Sequence, residues 1–331
     1  MALTSRISLH GPPASDPEDF FGSSLGVIFP DDVMNQHGDA EHSLLYTSPH
    51  LPRPLHIALA DPDREADRKL FSHYLWNASL LLAEFVEAGA LHLPLDLGNG
   101  GSGSAGAGAG PHDGGATTTI TPITPAHFDV KGLTCLELGA GTALPSLMAA
   151  LLGAADVVVS DYPSPAVLDT LRKNVAVNTV PECSPSGTTT PLTVEGHAWG
   201  ELDTPFAAQH RGHFDRLFVC DCLWMPWQHD NLRRSIAWFL KDSSSSPSPS
   251  PSTSGAKGEA KAWVIAGFHT GREKMRGFFE DAALASAGLE VERIWERDCD
   301  GVERAWVWDR GHEDVTERKR WLVVGVLRRQ R

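Results

Sequence analysis

Positive charge is scarce in this sequence. Against 42 Asp and Glu stand 28 Lys and Arg, a formal net charge of −14. A nucleic-acid backbone binder needs a basic face to neutralise phosphates, so direct nucleic-acid binding is not expected. A basic protein partner suits this charge, although charge alone names none. Cysteine is scarce too: the five, at 135, 183, 220, 222 and 299, are too few and too scattered for a disulfide framework. Long hydrophobic runs are missing. The longest apolar stretch, Leu144 to Val159, is interrupted by Pro145, Gly153 and Asp156, so it reads as a helix and then a strand, not a membrane span. The first twenty residues hold Pro12, Pro13, Asp16, Pro17 and Glu18 and no apolar core, which predicts no signal peptide. The expected location is the cytoplasm, without a membrane partner, and a monomer is expected.

What is present fits a folded protein. The 331 residues are 41% apolar and 21% charged. That length suits one large domain with insertions, or two small ones. Three stretches are too polar or too simple to offset chain entropy: 98–116, almost all Gly, Ala and Ser; the loop 181–191; and the Ser-Pro-rich run 242–258. They read as surface insertions in one domain over 68–331. Residues 1–67 read as an N-terminal extension, partly docked through Phe20-Phe21, Val27-Ile28-Phe29 and Leu44-Leu45-Tyr46.

Between the insertions, strands and helices alternate. Strands are predicted over 133–138, 156–160, 192–198, 214–220 and 261–268, and helices over 144–152, 165–178, 228–240 and 273–287. The second helix starts with Pro165 after a Ser164 cap. Two strands, 289–296 and 320–327, follow with no helix between them. This order means an α/β fold, a mostly parallel sheet with helices on both faces. The last pair suggests one antiparallel strand at the sheet's end.

The first strand runs into Glu137-Leu138-Gly139-Ala140-Gly141. Glycines here let a ligand approach the backbone, at the carboxyl ends of the strands. The next strand ends at Ser160-Asp161-Tyr162, where Asp161, about twenty residues on, can accept hydrogen bonds from both hydroxyls of a ribose. Three ligand readings stay open. A dinucleotide site wants a third glycine where Leu144 stands, and Pro145 removes a backbone donor from the helix start. A P-loop wants Gly-Lys-Ser/Thr, which is absent. S-adenosylmethionine has a sulfonium and no phosphate, so it wants an acidic strand end such as Glu137 more than an anion hole. A glycine turn with no cofactor is the bland reading.

Eight segments carry a resemblance. His73 to Asn77 (HYLWN), Leu136 to Pro145 (LELGAGTALP) and Val157 to Pro163 (VVVSDYP) are joined by Leu171-Arg172-Lys173-Asn174 and Trp199-Gly200. Together with Pro17 to Phe20, Phe214-Asp215 and Phe268-His269, they resemble the seven-β-strand lysine methyltransferase family. The resemblance is nearest to the fungal group first labelled nicotinamide N-methyltransferase-like, which includes the methyltransferase of N-terminal and lysine amines of elongation factor 1-alpha. It covers most of the chain outside the three insertions.

The resemblance implies a Rossmann-like seven-stranded sheet, S-adenosylmethionine as cofactor and a protein acceptor. Trp76 matches the tryptophan lining the cofactor site, Gly139 to Gly141 (with Ala140) the glycine turn, and Asp161, followed by Tyr162, the ribose acid. Trp199 matches an aromatic residue beside the adenine. Cys220 falls where the family often has serine or alanine, and Asp221 after it faces the methyl-transfer region and orients the acceptor. The run Cys222 to Trp227 departs from the family's usual sequence, which leaves the acceptor pocket's shape open. Core packing is the plain alternative for each tryptophan and for His269, His73 and Tyr74. No metal is expected: Cys220 and Cys222 lack a second ligand pair at zinc spacing. A small-molecule N-methyltransferase and a cofactor-binding protein without turnover are the competing functions.

Overall fold

The computed structural model describes residues 2–11, 35–38, 42–60, 74–95, 124–242 and 259–331. Residues 98–116, 243–258, Phe20-Phe21, Val27-Ile28-Phe29 and His73 lie outside these. Among the described residues no helix is long and apolar enough to cross a membrane.

The N-terminal part holds β1 (Ile7–His10), β2 (Gln36–His37), β3 (Ser43–Tyr46), β4 (Leu55–Ile57) and β5 (Leu75–Trp76). Strands β1, β3 and β4 form a small antiparallel sheet, while β2 pairs with β5. Helix α1 (Asn77–Leu91) follows directly and is buried along nearly its whole length. The small sheet is tied to it by charge. Arg6 reaches Glu84 at 2.7 Å and Glu87 at 2.8 Å, and Ser48 Oγ donates to the other Glu87 oxygen.

The rest of the chain alternates as the sequence predicts: β6 (Thr134–Leu138), α2 (Leu144–Leu151), β7 (Asp156–Asp161), α3 (Pro165–Asn178), β8 (Leu192–Gly196), α4 (Pro205–Gln209), β9 (Arg216–Cys220), α5 (His229–Phe239) and β10 (Lys261–Gly267). Helices α6 (Arg272–Arg276) and α7 (Asp281–Ser286) lead to β11 (Leu289–Asp298), β12 (Glu303–Ala305), α8 (Val315–Lys319) and β13 (Trp321–Arg329). The sheet order is β12-β11-β13-β10-β9-β6-β7-β8. Strands β8, β7, β6, β9 and β10 run parallel, and β13 runs antiparallel between β10 and β11. Alternate residues of β9 serve the two faces. Phe218 and Cys220 join α1 and α2 with Trp263, while Leu217 and Val219 join Leu232, Ile236 and Phe239 of α5. Chain order reverses between β6 and β9, and ligands bind beyond the strand ends at such a point.

Four local expectations need correction. The antiparallel strand does not lie at the sheet's end but is inserted beside β10, and β12 adds an eighth strand by hairpin pairing with β11. The segment between β11 and β13 is not helix-free, because α8 lies there. Its order is ionic rather than apolar: the buried Glu296 carboxylate gathers Arg272 at 2.7 Å, Arg304 at 2.6 Å and Arg310 at 3.1 Å. Burial alone would push Glu296 up, but those bonds hold it below the usual carboxylate range. The helix expected over 273–287 is two short ones, because consecutive Phe278 and Phe279 are both buried on a 3-10 turn between them. The loop 181–191 is ordered. Cys183 is buried, Ser184 Oγ donates to Leu151 O at 2.8 Å, and Thr190 N to Ala150 O at 3.2 Å.

Two asparagines one turn apart on α3 hold the edge of β4 as a strand would. Asn174 and Asn178 side chains accept from Ala58 N and His56 N, each at 2.8 Å. They donate back to the same residues' carbonyls at 2.9 and 2.7 Å. Gly89 of α1 lies against the Phe128 backbone, where a Cβ would fall under 3.0 Å from the carbonyl. Alanine normally stabilises a helix interior by about 1 kcal/mol over glycine. Gly89→Ala is expected to do the opposite, costing about 2 kcal/mol net through overpacking. Thermal unfolding checks this, and an unchanged or raised melting temperature would contradict the close packing.

Candidate active site

The glycine turn after β6 is set by backbone geometry. Gly139 has φ +68° and Gly141 φ +54°, in the left-handed region that favours glycine. A Cβ on Gly139 would also meet Cys222 Sγ at 2.8 Å and Trp199 at 3.0 Å. The turn is tied to β7. Ala140 N donates to Ser160 O at 3.1 Å, and Gly141 N to Asp161 Oδ2 at 2.7 Å. The other Asp161 oxygen accepts from Tyr162 N at 2.7 Å. Each carboxylate oxygen keeps a further lone pair for a ligand hydroxyl. Burial pushes Asp161 up to about 6, against the pull of the two backbone bonds.

Above the turn lies a cavity of about 480 Å³. Trp76, Gly139, Ala140 and Gly141 line it, with Asp161 and Tyr162 from the end of β7. Trp199, Cys220 and Asp221 close it from the ends of β8 and β9. The structure therefore brings together nine of the ten residues singled out in the sequence. Glu137 stands apart, fully buried behind the turn. Its Oε2 accepts from Ser146 N at 3.2 Å and from Ser146 Oγ at 2.5 Å, filling donors at the N-terminus of α2. This oxygen ties the turn to the helix, while Oε1 is buried without a hydrogen-bond partner among the described residues.

Asp221 sits at φ +55°, unusual for a residue with a side chain. Its N–H is held by Ile265 O at 2.8 Å, and its Oδ1 accepts from Gly267 N at 3.2 Å. Burial pushes its carboxyl up, opposed by His269 and the Gly267 bond. His269 stacks on Trp76 with ring centroids 4.8 Å apart. It thus stands behind the cavity wall. Tyr74 lines the cavity; His73 lies outside the described residues.

The sequence did not single out several lining residues, among them His197, Glu201 and Asn231, and it placed Trp224 only in the run that leaves the acceptor pocket's shape open. His197 Nε2 lies 2.9 Å from Ser235 Oγ, which accepts from Gly200 N at 2.8 Å, so one hydroxyl fixes the Trp199-Gly200 corner. Burial lowers His197 to about 4, leaving it neutral. Only the strand's alternation before His197 hinted at this inward position. The acids Asp161, Glu201 and Asp221 line the cavity, and among the described residues no Lys or Arg does. Such a cavity suits a cationic occupant and lacks what a pyrophosphate needs. At the helix start Pro145 has no N–H and Ser146 N is taken by Glu137, which leaves fewer donors for a phosphate.

Glu137 also sets a pH response. Burial, opposed by the Ser146 bonds, raises its carboxyl from 4.5 to about 8. The folded protein then holds this proton more tightly than the unfolded chain, so stability falls as pH rises from about 4.5 toward 8. Asp161 contributes in the same direction below about 6. Glu137→Gln is expected to flatten the fall between about pH 6 and 8. Melting temperatures at pH 6, 7 and 8 check this, and an unchanged slope would contradict it.

Comparison with known proteins agrees with this geometry. The family model described as lysine methyltransferase matches residues 64–245. The protein N-terminal and lysine N-methyltransferase EFM7 of Gibberella zeae is 31% identical over 261 residues, 75% of this chain and 75% of that protein. The protein of the same name from Cryptococcus neoformans is 37% identical over 165 residues, 49% of this chain and 54% of its own length. The one from Schizosaccharomyces pombe is 26% identical over 170 residues, covering 50% and 49%. With more than half its length under the family model and an acid-lined cavity at the switch of its sheet, the chain belongs to the lysine methyltransferase family: it is an N-methyltransferase, and S-adenosylmethionine is the methyl donor that membership implies.

Proposed function

We propose that this chain methylates a protein, at its N-terminal amine, at a lysine or at both, and that the protein is elongation factor 1-alpha. The observation that carries a cationic acceptor and donor is the cavity's charge: three carboxylates and, among the described residues, no cationic side chain. The named relatives support the protein acceptor, and the resemblance over most of the chain to the fungal group that includes the methyltransferase of elongation factor 1-alpha supports that substrate.

The residues present fit the donor. Gly139 and Gly141 leave the backbone open to it, Asp161 offers acceptors to ribose hydroxyls, and Trp199, Tyr162 and Trp76 offer flat apolar faces. Cys220 keeps the floor small. When bound, S-adenosylmethionine supplies a methyl group already activated as a leaving sulfonium's substituent. The chain's own task is to align the acceptor nitrogen and exclude water. Asp221 holds the incoming ammonium, aimed by the Gly267 bond and its fixed backbone. The nitrogen must lose a proton first. Near pH 7.5 roughly a third of chain α-amines are neutral, against about 0.1% of lysines. An N-terminal amine is therefore the easier nucleophile, and a lysine needs the desolvation this buried wall provides.

Methyl-labelled S-adenosylmethionine, incubated with the purified chain and fractionated cytosol, tests the reading. Label is expected in a protein band the size of elongation factor 1-alpha. Asp221→Asn is expected to cut that labelling about a hundredfold, the scale of a lost positioning group, with cofactor affinity unchanged. Label in a small metabolite would favour a small-molecule N-methyltransferase. Near-normal labelling by Asp221→Asn would remove the role given to Asp221.

A further inference from the structure

The loop after β9 carries an aromatic side chain that packing does not account for. Trp227 is 72% exposed, yet its backbone is pinned on both sides. Before it, Asp221 N is held by Ile265 O, and Leu223 is buried with its carbonyl 2.9 Å from His229 Nε2. Around it, Pro226 opens the turn Pro226–Gln228, Gln228 N donates to Met225 O at 2.9 Å, and the Gln228 side chain accepts from Asn231 at 2.8 Å. Trp224 and Met225 line the cavity. Trp227 stands edge-on to Trp224, with centroids 6.5 Å apart at 87°. The indole thus extends the cavity wall outward. A single exposed tryptophan is ordinary. One held on a fixed loop, continuous with the mouth of an acid-lined cavity, is placed to receive something.

We propose that Trp224 and Trp227 form a docking ledge for the acceptor, an extended basic peptide segment whose Lys or Arg beside the acceptor amine lies over the Trp227 indole. This rests on the protein-acceptor reading above and adds the chemistry of the flanking sequence. Charge complementarity chooses the occupant. The cavity presents Asp161, Glu201 and Asp221, and the whole chain carries −14. A cation over an indole face adds attraction of its own, and a tryptophan gives large contact area at little entropic cost. The nearby Arg233 does not compete for the face. Its guanidinium is committed to Asp230 and to the carbonyls of Gly277 and Phe278.

The test uses the full chain and two synthetic peptides, each with a free N-terminal amine. One has lysines at the following positions, and the other has alanines there. The basic peptide is expected to be the better substrate, mainly through KM. Trp227→Ala is expected to raise that KM about tenfold, within the range of a partly desolvated cation–π contact, and to leave the alanine peptide's KM and the S-adenosylmethionine Kd within twofold. Trp227→Phe is expected to restore most of the loss. An unchanged KM in Trp227→Ala overturns the ledge alone. So does an equal loss of cofactor affinity, which would make Trp227 part of the cofactor wall. A dimer that Trp227→Ala converts to monomer would assign the face to a second copy of the chain. If the unmodified protein methylates neither peptide and no protein, the protein-acceptor reading fails and the ledge with it.

Discussion

Two hydrogen bonds, from Ser146 N and Ser146 Oγ to one oxygen of Glu137, decide what the glycine turn can bind. A turn of this kind before a helix is a general anion site, because the first N–H groups of the helix have no partners within it. Here Pro145 lacks that group, and an acid from the preceding strand takes the one on Ser146 from behind. The oxygen fills these donors whether or not the group is ionised. The turn keeps its open backbone at Gly139 and Gly141, but the helix start offers a phosphate fewer donors. Among the described residues the charged side chains facing the cavity are the carboxylates of Asp161, Glu201 and Asp221, a lining that suits a cation rather than an anion.

The rest of the site is arranged around that preference. The ends of β6, β7, β8 and β9 each contribute one feature: the turn, Asp161, the Trp199-Gly200 corner and Asp221. Neighbouring elements fix each one. Ser235 of α5 bonds the corner, Gly267 at the end of β10 bonds Asp221, and Asn174 of α3 donates to Thr142 O in the turn itself at 3.2 Å. The same Asn174 holds β4, so the N-terminal sheet and the cofactor loop share one side chain. The β2–β5 pairing is equally near the site, since Gln36 lies opposite Trp76.

The features legible in the sequence were those with an apolar period or a glycine constraint. Helix α3 begins at Pro165 and ends at Asn178 as the proline and the periodicity require, although Ser164 at the N-cap makes no side-chain cap hydrogen bond, and the glycine turn and Asp161 sit where their spacing puts them. What escaped was held by polar bonds between distant residues. Strand β12 and the segment after it are organised by arginines around Glu296, which no hydrophobic period reveals, and the short helix α8 starts on the Asp314 side chain, which accepts from Thr316 N and Glu317 N. The 181–191 loop reads as unfolded by composition, yet Ser184 and Thr190 bond it to α2. Glu137 carries a strand-end acid's signature, but its hydrogen bonds go to Ser146, nine residues on, which no spacing rule foretells. His197 could not be told from a core histidine, because its function lies in a hydroxyl on another helix.

The most direct test of a cation-selecting cofactor site is calorimetric titration of the full chain with S-adenosylmethionine, with Asp161→Ala alongside. Micromolar binding by the unmodified protein, lost in the folded variant, is the expected result. No binding by the folded, unmodified protein, or equal binding by the variant, would contradict the account.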